Sequence, residues 1–182
     1  ARDVEVIISD SQPIHGVQGC DRYYARAVRG IDNAGKVPHW LAHRLQRSGM
    51  RSLSPVVDVT NYVMLDLGQP LHAYDLDKIA PPIVVRRARE GEQLTTLDGK
   101  GRNLSPEDLL ITDSPDGAQG SRILGIAGVM GGMYGEVTEE TTNILIESAH
   151  FDPVSIARSA RRHKIPSEAS RRFERGRSEE HT

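Results

Sequence analysis

The feature that most constrains the fold is a change of hydrophobic period. Up to about Ile79, apolar residues at helical spacing alternate with short strand-like runs; beyond it they recur at every second position. IVVRRA (83–88), QLTTLDGKGRN (93–103) and LLITD (109–113) predict strands, with Asp98-Gly99 as a hairpin turn. RILGIAGVMGG (122–132) begins as a strand and dissolves into glycines, TNILIESAHF (142–151) is a further strand, and SPDGAQGSR (114–122) is a surface loop. Ahead of the change, VEVIIS (4–9) and RYYARAVRGI (22–31) also predict strands.

Four helices complete the pattern. Pro38 suits the first turn of one that puts Trp40, Leu41 and Leu45 on a face and stops at Gly49. The next has Ser54 as N-cap, Pro55 as first residue, Gly68 as its stop, and Val56, Val59, Val63 and Leu67 as its apolar stripe. Asp152-Pro153 caps a third through about His163, and Ser167 starts a fourth that ends at Gly176. Strands with flanking helices, lacking a regular βαβ alternation, predict a single compact α+β domain of layered mixed β-sheets.

Composition excludes several function classes. The 182 residues suffice for one good core, and 37% hydrophobic with 4% aromatic residues makes that core Val, Ile and Leu. No apolar run approaches the ~20 residues of a membrane span, and the first residues do not read as a signal peptide. Cys20 is the single cysteine, which excludes an internal disulfide and a thiolate-built zinc site and suits a reducing, cytoplasmic setting. Formal charge is −2, yet Arg158, Arg161, Arg162, Lys164, Arg171, Arg172, Arg175 and Arg177 crowd the C-terminal stretch. That stripe reads either as a solvated helix face or as steering for a phosphate backbone; Arg158, Arg161 and Arg162 are the candidate RNA contacts.

Residues able to carry chemistry are few. GIAGVMGG lacks the lysine and hydroxyl of a nucleotide P-loop, so its glycines offer close backbone approach around a small ligand, or simply a tight bend. In TNILIESAH, Asn143, Leu145, Glu147 and Ala149 share one face and Ile144, Ile146, Ser148 and His150 the other. A strand apolar on both faces is buried, so Glu147 is a carboxylate at a core, satisfied by an arginine or by a ligand donor. Asp58, Thr60 and Asn61 fall in the middle of the second helix, where they suggest an inward polar face, or core-polar and capping roles. No G-x-S-x-G, H-E-x-x-H or usable Cys-His pair occurs, and His39 with His43 lacks a third ligand, so no metal is expected. His72, between Pro70-Leu71 and Ala73-Tyr74-Asp75, is open between ligand, base, binding group and turn residue.

Six motifs in order, CDRYYARAV, GMRSLSPVVDVTNYVMLDLGQPLHAYDLDKI, LDGKGRNL, GIAGVMGG, NILIESAHFDP and EASRRFERG, resemble the editing domain of the bacterial phenylalanyl-tRNA synthetase β subunit. The resemblance covers residues 20–176, leaving 1–19 as an N-terminal linker or strand region and 177–182 as a tail. It implies an α+β hydrolase domain that removes tyrosine from mischarged phenylalanine tRNA. The partners implied are the 3′ end of that tRNA, the rest of the β subunit and an α subunit in a heterotetramer. It implies no cofactor in this domain, since ATP and magnesium serve other modules of the family. Carried over by motif, His72, Thr60 and Asn61 take the catalytic positions, and Glu147, Gly128, Gly131, Arg51 and Ala169 bind substrate. Tyr74 stands where the family commonly has Phe, Ser54-Pro55 replaces an Asn-rich pair, and Pro166-Ser167 departs from the usual wording before Glu168-Ala169-Ser170. Water-mediated ester hydrolysis without a covalent intermediate is the expected chemistry, with Glu147 reading the tyrosine hydroxyl. A non-catalytic module docking tRNA or a partner subunit is the alternative.

Overall fold

The structure is a computed structural model and describes residues 3–10 and 14–175. In chain order the strands are β1 (Val6–Ser9), β2 (Cys20–Arg29), β3 (Leu71–Asp75), β4 (Ile83–Arg87), β5 (Gln93–Thr95), β6 (Gly101–Asn103), β7 (Leu109–Asp113), β8 (Arg122–Ile126), β9 (Met130–Gly131) and β10 (Asn143–Phe151). The helices are α1 (His39–Arg47), α2 (Pro55–Leu67), α3 (Pro153–His163) and α4 (Glu168–Glu174). The predicted end of the fourth helix, Gly176, lies outside the described residues.

Two sheets form the layers. One runs β1-β4-β7-β8-β9, antiparallel except for the parallel β1–β4 pair; the other runs β2-β10-β3, antiparallel throughout. A small β5–β6 hairpin turns at Asp98-Gly99, where Gly99 takes φ +76°. The alternation along β10 divides its side chains between two clusters. Leu145 and Ala149 join Tyr23, Ala25 and Tyr74 in the main core with Ile83, Ile111 and Leu124 of the larger sheet. Ile144 and Ile146 face the other way, with Val56 of α2, Ala73 and Val28. The three-stranded sheet is therefore covered on both faces, which is why β10 reads as apolar on both. The arrangement is the predicted α+β class.

Local chemistry sets the helix ends. Gly68 closes α2 in the left-handed region at φ 72°, its N–H bonded to the Met64 carbonyl. Ser54 occupies the N-cap position but makes no side-chain cap; buried Asn33 supplies it from the loop between β2 and α1, its Oδ1 accepting from the Val56 N–H at 3.1 Å. The predicted stripe of α2 holds only in part: Val56 is buried and Val63 half-buried, but Val59 is 49% and Leu67 65% exposed, while Asp58 is fully buried. With Val56, the residues Val57, Thr60, Asn61 and Met64 line a cleft that α2 roofs and that takes polar groups. Asp58 accepts from Ser52 Oγ and from the Leu53 N–H, tying the approach segment to the helix.

LHAYD (71–75), not predicted as a strand, is β3 and pairs along β10. At the other end of the domain, fully buried Asp108 accepts from Ser159 Oγ (2.6 Å), Arg162 Nη1 (2.5 Å), His163 Nε2 (2.7 Å) and the Ser105 N–H (2.8 Å). This knot pins α3 to the start of β7. Removing the carboxylate strands several buried donors, so Asp108→Ala is expected to lower the unfolding free energy by about 3 kcal/mol or more in urea denaturation.

Candidate functional site

The site is built on the central strand of the smaller sheet. Glu147 pairs with Ala25 on β2 and with His72 on β3. On the same face, Tyr23 sits opposite Ala149 and Tyr74 opposite Leu145, each diagonal to Glu147 and within reach of an aromatic side chain. Both phenols donate to one carboxylate oxygen, Tyr23 Oη at 2.7 Å and Tyr74 Oη at 2.8 Å from Oε2. Of the two satisfiers expected, an arginine or a ligand donor, no arginine takes part among the described residues; two tyrosines hold Glu147, whose residue exposure is only 7%. Oε1 takes no hydrogen bond among the described residues, and Glu147 lines a cavity.

Burial raises the Glu147 carboxyl above its usual range, with the two phenol hydrogen bonds pulling the other way. Burial and the neighbouring carboxylate drive both tyrosines well above 10, so each remains a protonated donor. Cys20, wholly buried, is pushed up to about 12 by desolvation first and is no nucleophile.

The cavity beside Glu147 measures about 70 Å³ and is walled by His72, Tyr74, Ile111, the 125–131 backbone, Ala169 and Phe173. An outer cleft of about 350 Å³ takes Met50, Thr60, Asn61, Met64, Leu97 and Ser167–Ala169. Leu71, His72, Val129, Met130, Gly131 and Ala169 line both, so the two spaces lie side by side with these residues between them. His72 stacks edge-on against Tyr74 with ring centroids 4.5 Å apart, and neither ring nitrogen has a partner among the described residues. Desolvation lowers its pKa to about 4, leaving a neutral imidazole.

Two glycines shape the junction. A Cβ on Gly131 would stand 2.8 Å from His72 Cε1 and 3.0 Å from Nε2. Gly128 holds φ +67°, and a Cβ there would strike Phe173 at 2.9 Å and Ile156 and Phe151 at 3.1 Å. The glycine run thus serves close approach. Thr60 Oγ1 is engaged with the Val57 carbonyl at 2.9 Å, whereas the Asn61 amide has no partner among the described residues. Ala169 is presented by α4, whose start is fixed by a Ser167–Ser170 capping box.

The motif resemblance grouped His72, Thr60, Asn61, Glu147, Gly128, Gly131 and Ala169 with Arg51, and these seven line one or both of the adjacent spaces. Arg51 is exposed and lines neither. Arg158 and Arg162 pair with Glu107 at 3.3 and 3.0 Å, Arg162 also with Asp108, and Arg161 is exposed beside a separate surface hollow. His39 and His43 stack with centroids 6.0 Å apart, and no group of three or more potential metal ligands occurs among the described residues. No described helix is long and apolar enough to cross a membrane. Tyr23 and Tyr74 were missed as site residues; their alternation was visible, but their register with Glu147 was not.

A two-sheet α+β domain with glycines and a buried carboxylate around two adjacent cavities defines a known class: the chain belongs to the B3/4 domain family, which matches residues 19–182. A segment of the phenylalanine–tRNA ligase beta subunit of Bifidobacterium longum is 72% identical over 174 residues, covering 96% of this chain and 20% of that subunit. The corresponding subunit of Streptomyces avermitilis is 58% identical, with 87% of this chain and 19% of the subunit covered, and that of Yersinia pestis is 46% identical, with 96% and 21%. The chain thus spans about one fifth of the length of these relatives. An N-terminal fragment of the phenylalanyl-tRNA synthetase β-subunit from Pyrococcus horikoshii shares the fold, with a TM-score of 0.55 at 16% identity over 88% of this chain and 49% of that one.

A buried neutral histidine has a pH signature. An unfolded histidine binds its proton near pH 6.5, the folded His72 only near 4, so between these values acid favours the unfolded chain. Glu147, raised in the fold, acts in the opposite sense. Relative to His72→Asn, the parent is therefore expected to lose about 3 kcal/mol of stability as pH falls from 7 to 4, measured by urea unfolding at each pH. Tyr74→Phe, which removes one donor to a buried carboxylate, is expected to cost about 1.5–3 kcal/mol at pH 7 by the same measurement.

Proposed function

We propose that this domain removes tyrosine wrongly esterified to phenylalanine tRNA, by hydrolysis with a positioned water. The observation that carries the reading is Glu147, a buried carboxylate with Oε2 engaged by two phenols and Oε1 without a partner. A tyrosyl ring in the inner cavity brings its O–H to Oε1; a phenylalanyl ring brings a C–H and leaves the oxygen desolvated and unpaired. Sites that read a hydroxyl in this way discriminate by ~10⁴ or more.

The outer cleft then takes the terminal adenosine and the ester, with the Asn61 amide and the Thr60 wall on one side and Ala169 on the other. His72 stands between ring and ester. With its pKa near 4 it is a weak proton acceptor at neutral pH, and it orients water by hydrogen bonding. Water adds to the carbonyl carbon, the ester C–O bond breaks, and the departing ribose oxygen takes the proton. Products are free tyrosine and tRNA. Thr60 and Ser167 have their hydroxyls in local backbone hydrogen bonds, and Cys20 is buried, so no activated nucleophile faces the cleft among the described residues.

The setting we propose is one editing module of a larger synthetase β subunit in the cytoplasm, assembled with an α subunit as a heterotetramer. ATP and magnesium would serve modules outside this stretch, and the hydrolytic step uses no cofactor. A docking role built on Arg158, Arg161 and Arg162 is the weaker reading, because two of the three are held by Glu107 and Asp108.

The test is deacylation of tyrosyl- and phenylalanyl-tRNA by the 182-residue chain. Tyrosine is expected to be released selectively, and Glu147→Ala to slow that release ~10- to 100-fold with tRNA binding unchanged in a filter assay. Equal release of the two amino acids by the parent, or an unslowed variant, contradicts the reading.

A further inference from the structure

We propose that the exposed face shared by α1 and α2 is a stacking platform for single-stranded RNA, carrying the strand that leads into the outer cleft. The inference rests on the editing reading for the identity of the RNA, and on its own observations for the surface. Trp40 is 56% exposed and lies edge-on to Tyr62, centroids 5.5 Å apart. Arg44 sits 5.9 Å from both ring centroids and donates from Nη1 to Tyr62 Oη at 3.1 Å. The guanidinium stands beside both rings and is tied to one of them, and an exposed indole with an adjacent cation is what a nucleobase stacks on.

The charge fits the same occupant. α1 contains no carboxylate. Between Lys36 and Leu67 the only acids are Asp58, which is buried, and Asp66, one turn beyond Tyr62. Lys36, Arg47 and Arg51 have no hydrogen-bond or ion-pair partner among the described residues. Uncompensated cations flanking an aromatic surface match a chain of phosphates and bases; a protein partner's apolar core would not call for them. The platform also adjoins the cleft. Met50, next to Arg51, and Asn61, next to Tyr62, are both cleft-lining residues. A strand whose terminal nucleotide occupies the cleft therefore runs out past Arg51 over Tyr62 and Trp40.

Trp40 is the sole tryptophan, so its emission reports on this surface alone. The probe is a short single-stranded RNA with the sequence of a tRNA 3′ terminus, titrated into the 182-residue chain. Saturable quenching of Trp40 is expected. Tyr62→Leu, which keeps the fluorophore, and Trp40→Leu, followed by anisotropy of labelled RNA, are each expected to weaken binding about tenfold. Lys36→Ala and Arg47→Ala are each expected to flatten the salt dependence of log K by ~0.7. Lys36, Trp40 and Arg47 are exposed and Tyr62 is half-buried, and unchanged thermal melts verify folding. RNA binding without quenching, or no binding at low salt, overturns the proposal. That includes the case in which this face instead docks another protein. Tyrosyl-tRNA deacylation is scored separately: quenching with no deacylation leaves the surface standing and removes the editing reading, whereas deacylation with no quenching does the reverse.

Discussion

The pairing of β10 with β2 on one side and β3 on the other is the constraint on which the rest depends. It brings Tyr23, Glu147 and Tyr74, which are 124 and 73 residues apart from the carboxylate in sequence, onto one face. A buried carboxylate in the main core would cost several kcal/mol if left alone. Two phenols, too buried to ionise themselves, offset that cost at one oxygen. The other oxygen is left for whatever enters the cavity. His72 comes along automatically, since it is the residue opposite Glu147 on β3, and Gly131 has to be glycine because the imidazole occupies the space of its side chain.

Much of this was legible in the sequence where the cause is local. Gly68 stops α2 because a left-handed residue is needed there, and Asp152-Pro153 opens α3 with an aspartate that accepts from the Ser155 N–H. The burial of Glu147 was legible too, since Ile144 and Ile146 alternate with Leu145 and Ala149. What failed depends on long-range packing. The lining face of α2 shifted from Val59 and Leu67 to Thr60 and Asn61 because that helix covers a cleft; the mid-helix Thr60 and Asn61 hinted at a polar face, but the apolar spacing alone pointed elsewhere. LHAYD escaped notice as a strand because a proline, a histidine and an aspartate within six residues outweigh its β-propensity until β10 is there to pair with. The partners of Glu147 lay beyond reach for the same reason: a period of two says which face a tyrosine shares, and only the register says with whom.

The site divides its labour by solvation. Inside, one carboxylate oxygen waits among apolar walls, where an unmet hydrogen bond is expensive. Outside, Thr60, Asn61 and Ser167 border a wider space suited to a ribose and its phosphate. His72 lines both and is neutral, and under the proposed function it holds water in place. On the same reading, discrimination rests on Glu147 and hydrolysis on groups bordering the wider cleft, so the two tasks fall to different atoms.

The most direct test of the account is the rate at which the chain deacylates 4-fluorophenylalanyl-tRNA beside tyrosyl- and phenylalanyl-tRNA. The fluorine fills much of the space of the phenol oxygen but has no proton to donate. If Oε1 of Glu147 reads the O–H, the fluorinated ester is spared as the phenylalanyl ester is. Release at the tyrosyl rate would mean that the cavity senses size, and that the half-satisfied carboxylate has another purpose.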